Sequence, residues 1–226
     1  MLVKNWMTKA VVTVDPATAM NDAIKLMEKN HIRILPVVKK EKIVGVVTDL
    51  DIKRASSSDA TLLEVHELHH LISKLKLKEI MNKQPVTVPI DYTIEEAAEA
   101  MAHNKVTGVL VVDHDQRLAG VITETDIFKA LISVTGADRK GVQFAFQIED
   151  RPGSIKELTD IIRQYGGRLL SILTSYDRVP QGYRNLYLRT FAVNRQQLPE
   201  LKEKLSVRAK FMYMIDHREN KREIAE

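Results

Sequence analysis

Two kinds of apolar spacing alternate along this chain, and the same alternation occurs twice. Met20, Ala23, Ile24 and Met27 fall at i, i+3, i+4 and i+7, the stripe of an amphipathic helix. Thr18 is the N-cap this pattern predicts and Asn30 the stop. Residues 11–14 predict a short strand before the helix. Residues 34–38 and 43–47 are β-branched runs joined by a lysine-rich turn, which predicts a hairpin, and a short helix begins after Thr48. The order then returns. Ile94, Ala97, Ala98 and Met101 predict a helix, and residues 109–112 and 118–122 flank the polar turn 113–117. Individual residues repeat as well. Met7-Thr8-Lys9 matches Met81-Asn82-Lys83, Val12-Thr13-Val14 matches Val86-Thr87-Val88, and Gly45-Val46-Val47-Thr48-Asp49-Leu50-Asp51 matches Gly120-Val121-Ile122-Thr123-Glu124-Thr125-Asp126. An internal repeat of this length means two copies of one supersecondary unit, each burying its apolar face against the other.

The last third is patterned differently. Val142, Phe144, Phe146 and Ile148 alternate as in a half-buried strand. Asp150-Arg151-Pro152-Gly153 is a turn, and Ser154 is placed to cap a helix carrying Ile155, Leu158, Ile161, Ile162 and Tyr165, which Gly166-Gly167 ends. Strands at 169–174 and 185–193, a helix with Leu198, Leu201 and Leu205, and a strand with Phe211, Tyr213 and Ile215 complete a βαββαβ order, which is ferredoxin-like. The resulting division is residues 1–55 for the first repeat, 56–79 for a linker helix, 80–135 for the second repeat, 136–140 for a hinge, 141–216 for the C-terminal domain and 217–226 for a charged, frayed tail. The fold class is α/β (α+β), with two βαββα repeats packed as a pair and a ferredoxin-like domain behind them.

Composition narrows the chemistry. The 226 residues suffice for a sizeable core in one or two domains. There is no cysteine, so disulfides, thiolate metal sites and cysteine nucleophiles are excluded, which fits a reducing, cytoplasmic setting. No apolar run is long enough to span a membrane, and the first residues carry no signal-peptide core. The net charge of +4 is spread over mixed signs, and the cluster Lys39, Lys40, Lys42 has no interleaved aromatics. That describes a solvated hairpin tip and not a nucleic-acid surface.

The repeated Thr-x-x-Asp sits where a strand passes into a helix. One reading is structural. Thr48 accepts from the amide three residues on while Asp51 reaches back to the amide of Thr48, a capping box with Asp in place of Glu, and Thr123 and Asp126 do the same. The other reading uses the same atoms for a ligand. A helix N-terminus suits phosphate, and a carboxylate accepts from the two vicinal hydroxyls of a ribose. Gly45 and Gly120, ahead of each motif, would let the ligand approach the backbone.

On the strength of Met7-Thr8, His31-Ile32-Arg33-Ile34-Leu35-Pro36-Val37-Val38 and the two Gly-apolar-apolar-Thr-x-x-Asp motifs, the first 135 or so residues resemble a tandem pair of CBS domains, a Bateman module. The final third, through Ile148-Glu149-Asp150-Arg151-Pro152-Gly153-Ser154, resembles an ACT domain. The combination resembles the AcuB-type acetoin-utilisation proteins. This resemblance implies a non-catalytic regulator that binds AMP, ADP, ATP, S-adenosylmethionine or NAD between the CBS repeats. It implies ribose contacts for Asp51 and Asp126, contacts near the ribose or phosphate for Thr48 and Thr123, and phosphate contacts for Arg33, Lys53 and Arg54. The second repeat departs from the pattern. Thr107 stands in the place of Arg33 and Leu110 in the place of Pro36, leaving Lys129 as its local cation, so the two clefts are expected to differ. ACT domains bind amino acids or related small molecules, which points to Asp150, Gly153 and Ser154. The alternative for that loop is a helix cap and tight turn in a domain that only dimerises. The partners implied are a second copy of the chain and a regulated enzyme.

One further motif is weighed and set aside. His66-Glu67-Leu68-His69-His70 matches the His-Glu-x-x-His of zinc hydrolases. It lies in the linker, lacks a downstream third ligand at the expected spacing and leaves no domain to form a cleft, so no metal, catalytic residue or catalytic cofactor is expected. Against the sensor stands a scaffold that dimerises without any small ligand.

Overall fold

The computed structural model describes residues 1–58 and 75–225, which fall into two compact units, Met1–Ala130 and Leu131–Glu226. The His66–His70 motif and most of the expected linker helix lie outside the described residues.

In the first unit each repeat builds a helix over a small sheet. The first has α1 (Met20–Asn30), the hairpin β1 (Ile34–Lys39) and β2 (Lys42–Thr48), and α2 (Asp49–Ser58). After the short helix α3 (Leu77–Ile80), the second has β3 (Thr87–Pro89), α4 (Ile94–Asn104), the hairpin β4 (Gly108–Val112) and β5 (Leu118–Thr123), and α5 (Glu124–Thr135). The first hairpin closes through Lys40 and Glu41, both at positive φ (49° and 63°), as a two-residue turn between twisted strands requires. The second closes through Asp113, whose Oδ1 accepts from the amides of Asp115 (3.0 Å) and Arg117 (2.9 Å).

Three details differ from the sequence reading. The strand expected at 11–14 is a single parallel bridge, Val14 to Val37, whereas its counterpart β3 is a true strand paired with β4. Thr18 is not the cap of α1. The helix starts one residue later, Ala19 offers no side-chain bond, and the amide of Met20 is taken instead by the carbonyl of Leu75 at 2.9 Å. In the second repeat Thr93 is a proper N-cap, closed reciprocally with Glu96. Finally, the first repeat does not end at residue 55, and Ser56–Ser58 belong to it instead of the linker. They form the last turn of α2, where the Ser56 hydroxyl bonds back to the Ile52 carbonyl at 2.8 Å.

The division between repeats in sequence is not the division in space. Val3 and Met7 pack into the core of the second repeat, with Ile94, Ala97, Met101 and Ile122. Leu77 packs into the core of the first, with Met20, Ala23, Met27, Leu35 and Val47. Two straps, at residues 1–8 and 75–82, thus cross to the opposite sheets in matching ways. Thr8 bridges Val121 and Asn82 bridges Val46. The amide of Ile94 bonds the Met1 carbonyl (2.8 Å) just as that of Met20 bonds Leu75. Between the two sheets lies a shared apolar layer of Ile34, Leu110 and Val121.

The second unit is a five-stranded antiparallel sheet. Its elements are β6 (Val142–Glu149), α6 (Ser154–Gln164), β7 (Arg168–Ser175), β8 (Tyr183–Phe191), α7 (Leu198–Arg208), β9 (Lys210–Asp216) and β10 (Lys221–Ile224), with sheet order β10-β9-β6-β8-β7. The βαββαβ order is as expected, and its helices bury Leu158, Ile162, Leu201 and Leu205 against Phe144, Phe146, Leu186 and Leu188. The tail expected to fray instead adds the edge strand β10. Asp216, 1% exposed, accepts from Arg195 and from the amides of Arg218 and Glu219 to form the turn, and Glu223 pairs with Lys202 of α7 at 2.7 Å. A short strand of charged residues suits a sheet edge but carries no apolar alternation to reveal it.

Candidate functional site

Each Thr-x-x-Asp stands at the junction from the second hairpin strand to the following helix. Thr48 is the last residue of β2, paired with Ile34, and the Asp49 amide that opens α2 donates to the Arg33 carbonyl at 3.1 Å. In the second repeat Thr123 pairs with Gly108, and the Glu124 amide donates to the Thr107 carbonyl at 2.9 Å. The backbone of Arg33, or of Thr107, is thereby held against the motif by the start of the helix itself.

Within the first motif the Thr48 amide and hydroxyl both donate to Asp51 Oδ2, at 2.9 and 2.6 Å, and the Asp51 amide donates back to Thr48 Oγ1 at 3.2 Å. In the second, the Thr123 amide and hydroxyl donate to Asp126 Oδ2 at 3.0 and 2.8 Å. The reciprocal capping arrangement read from the sequence is complete in the first repeat, and in the second only its aspartate half is present. It uses one carboxylate oxygen of each aspartate. Among the described residues Asp51 Oδ1 has no partner, while Asp126 Oδ1 lies 3.7 Å from Lys129 Nζ. All four side chains are half-buried, and each aspartate's Oδ1 is oriented by its locked twin.

The cations are less confined. Lys53 Nζ pairs with Asp49 on its own helix at 3.3 Å, and Arg33 and Arg54 are exposed. Exposed pairs of this kind hold their members weakly.

The two glycines have a packing role that the local sequence did not show. A Cβ at Gly45 would lie 2.8 Å from Met81 Sδ and from the Asn82 carbonyl, and one at Gly120 would lie 2.5 Å from Met7 Sδ. Both must be small because the opposite strap crosses them. Met7 and Met81, repeated in the sequence, are thus the side chains that seat the motif strands. The repeat itself was the available signal for this, but only tertiary contact shows which methionine meets which glycine.

In the second unit the loop before α6 and the first turns of that helix line an open concavity of about 630 Å³ with Asp150, Arg151, Gly153, Lys156, Arg163 and Arg184. Gly153, at φ +87°, is the N-cap, so Ser154 does not cap the helix as expected. Ser154 is the first helical residue, buried, and its hydroxyl donates to the Arg151 carbonyl at 2.9 Å. Asp150 is engaged by Tyr176 Oη at 3.3 Å and lies 3.5 Å from Arg184 Nε. Arg184 and Tyr176 come from β8 and the loop after β7, and nothing in their local sequence marked them. Arg151 forks onto Glu157 at 2.8 and 3.0 Å and also bonds Glu149. Those hydrogen bonds raise the Arg151 guanidinium further above its ordinary range and hold Glu157 below the usual carboxylate range.

Among the described residues no group of three or more His, Cys, Asp or Glu side chains is placed to hold a metal ion, and no helix is long and apolar enough to cross a membrane.

Comparison with known proteins agrees with the repeat. The CBS domain model matches residues 3–58 and again 77–133, half of the chain. An uncharacterised protein of Methanocaldococcus jannaschii, MJ1225, is 28% identical over 129 residues, 57% of this chain and 46% of its own length. A CBS domain-containing protein of Dictyostelium discoideum is 34% identical over 140 residues, 59% of this chain and 92% of its own length. The chain therefore spans about half of the first relative and nearly all of the second. The crystal structure of the CBS domain pair of protein MJ0100, in complex with 5′-methylthioadenosine and S-adenosyl-L-methionine, is similar over 62% of this chain and 98% of its own, at 27% identity and a TM-score of 0.51. Residues 3–58 and 77–133 are two CBS domains in tandem, and the chain belongs to the CBS-domain family.

Proposed function

We propose that this chain is a non-catalytic regulatory protein whose CBS pair binds an adenosyl ligand, either an adenine nucleotide (AMP, ADP, ATP or NAD) or S-adenosylmethionine. The observation that carries this is the half-used aspartate. In each repeat threonine locks one carboxylate oxygen and leaves the other oriented beside a helix N-terminus, the arrangement that two vicinal ribose hydroxyls require. The CBS pair of MJ0100 holding two adenosyl compounds supports the same ligand class. In this reading Asp51 and Asp126 take the ribose, Thr48 and Thr123 position them, and Arg33, Lys53 and Arg54 meet phosphate in the first cleft. Lys129, already beside Asp126, makes the second cleft the weaker one for a polyphosphate.

The C-terminal unit completes the proposal as an ACT-type domain, as in AcuB-type proteins. Asp150, Gly153 and the amides following Ser154 would receive an amino acid or related small molecule, and the unit would join two copies of the chain in a cytoplasmic homodimer that acts on a partner enzyme. Tyr176 and Arg184 both meet Asp150 at Oδ1, so an arriving amino group would be taken by Oδ2.

The scaffold reading draws on one observation, that each threonine and aspartate already bond to one another at the start of the helix. Calorimetric titration of the full chain with AMP, ATP, NAD and S-adenosylmethionine, repeated with Asp51→Asn and Asp126→Asn, separates the two. Saturable binding that falls at least tenfold in one variant, with melting behaviour near that of the parent, is the expected result. No binding of any of these ligands to the parent protein would leave the motif as a cap and the protein as a scaffold.

A further inference from the structure

Beside the start of β6 the second unit gathers cations that neither ligand site uses. A cavity of about 210 Å³ there is lined by Lys140, Gly141, Thr190, Phe191, Arg195 and Arg218, among others. Its cations come from three separate parts of the chain. Lys140 precedes β6, Arg195 lies between β8 and α7, and Arg218 lies in the turn from β9 to β10. No Asp or Glu is among the described residues that line it.

One buried carboxylate assembles them. Asp216 accepts at Oδ2 from Arg195 Nε (2.8 Å), and at Oδ1 from Arg195 Nη2 (3.3 Å) and the Arg218 amide (2.8 Å). Arg218 Nε in turn donates to the Lys140 carbonyl at 3.1 Å, and the His217 amide to the Gly141 carbonyl at 3.0 Å. Asp216 does not line this cavity. It lines a neighbouring one of about 430 Å³ with Glu203, Glu219 and Glu223, and Arg195 is the residue common to both. Glu219, 3.4 Å from Arg195 Nε, pairs with neither Lys140 nor Arg218. Among the described residues, Lys140 Nζ, Arg195 Nη1 and both Nη nitrogens of Arg218 are left without a partner.

We propose that this cavity binds a phosphate group through Lys140, Arg195 and Arg218. Three positive charges held around one small opening repel each other, and an anion between them turns that repulsion into attraction. Each guanidinium is fixed by the nitrogens already bonded and presents the others in a planar fork, the geometry that matches phosphate oxygens. The cavity is smaller than the roughly 300–1,000 Å³ that organic ligands occupy, so it suits a single compact group. That group is inorganic phosphate or the end of a small phosphomonoester. Bound there, it ties the residue before β6 to the turn that carries β10. The proposal is independent of the adenosyl and amino-acid readings.

Nuclear magnetic resonance of the full chain tests it, with inorganic phosphate titrated at constant ionic strength against sodium chloride. The readout is local, at the amides of Lys140, Gly141, Ala192 and Arg218, so phosphate taken up elsewhere in the molecule does not enter it. Saturable shifts at these amides are expected. Lys140→Gln and Arg218→Gln should each weaken the binding about fivefold or more, and Arg222→Gln, an exposed cation outside the cavity, less than about twofold. Lys140 is exposed and its side chain bonds nothing, so its variant decides the matter even if Arg218→Gln disturbs the turn. Shifts that never saturate, that chloride reproduces, or that persist unchanged in both cavity variants would overturn the proposal. A second titration with methyl phosphate names the source. Tighter binding of inorganic phosphate assigns the site to the free anion, and tighter binding of methyl phosphate assigns it to a phosphomonoester.

Discussion

In the first repeat, Thr48 and Asp51 exchange bonds in both directions, a bare arginine stands beside the motif, and the preceding helix starts on an alanine capped by the opposite strap. In the second, Asp126 takes the same two bonds from Thr123 but faces a lysine, threonine replaces the arginine, and the preceding helix carries a complete capping box. Beneath these differences the straps, glycines and methionines correspond contact for contact. The comparison separates architecture from tuning. What the two halves share is what two interlocked sheets need in order to pack. Where they differ, the differences concern charge and local helix ends, which alter a ligand's preference without disturbing the pair.

The largest expected effect breaks the shared part. Gly120→Val and Gly45→Val each place a side chain where a methionine sulfur and a strap carbonyl already lie, and each should cost about 2–3 kcal/mol in urea denaturation. Adding Met7→Ala to the first, or Met81→Ala to the second, should restore part of the loss. Rescue on one side alone would show that the straps are not equivalent. Next come the motif threonines. Thr48→Val and Thr123→Val each remove a cap and should cost about 1 kcal/mol, with the larger loss at Thr48, whose hydroxyl also accepts a bond. A similar loss, about 1 kcal/mol, is expected for Thr93→Ala, whereas Ala19→Ser should gain a few tenths of a kcal/mol because the Asp22 amide there already bonds the Ala19 carbonyl at 3.0 Å. An equal gain and loss would mean that the Ala19 carbonyl contributes nothing to that helix end. The smallest effect on stability is the charge exchange. Arg33→Thr with Thr107→Arg should leave melting unchanged within about 0.5 kcal/mol. In calorimetry it should weaken phosphate-bearing ligands at the first cleft and strengthen them at the second. If AMP affinity follows neither substitution, Arg33 is a surface residue only.

Much of this was legible along the chain. The helix stripes at Met20–Met27 and Ile94–Met101, both hairpins and the Thr-x-x-Asp caps follow from local spacing, because their partners lie within a few residues. The site's oriented carboxylates were legible for the same reason, since Thr48 and Asp51 are three residues apart. Three things were not. Thr18 looked like a cap because a threonine stood in the right place, and the bond it would have supplied comes from Leu75, more than fifty residues away. The tail looked frayed because β10 is held by Asp216, by Lys202 and by pairing with β9, and its own charged residues leave no apolar period. Arg184 and Tyr176, which occupy Asp150, reach it across the sheet.

By itself, then, the sequence determined the elements, the duplication and the chemistry offered at each repeated motif, since those depend on interactions within a turn or a hairpin. Tertiary structure alone decided that each strap serves the opposite repeat, that Gly45 and Gly120 are small for the sake of Met81 and Met7, and that Lys140, Arg195 and Arg218 line one cavity. These are meetings between residues far apart in the chain. Close packing selects them by shape and by unpaired polar groups, and neither leaves a periodic trace in the sequence.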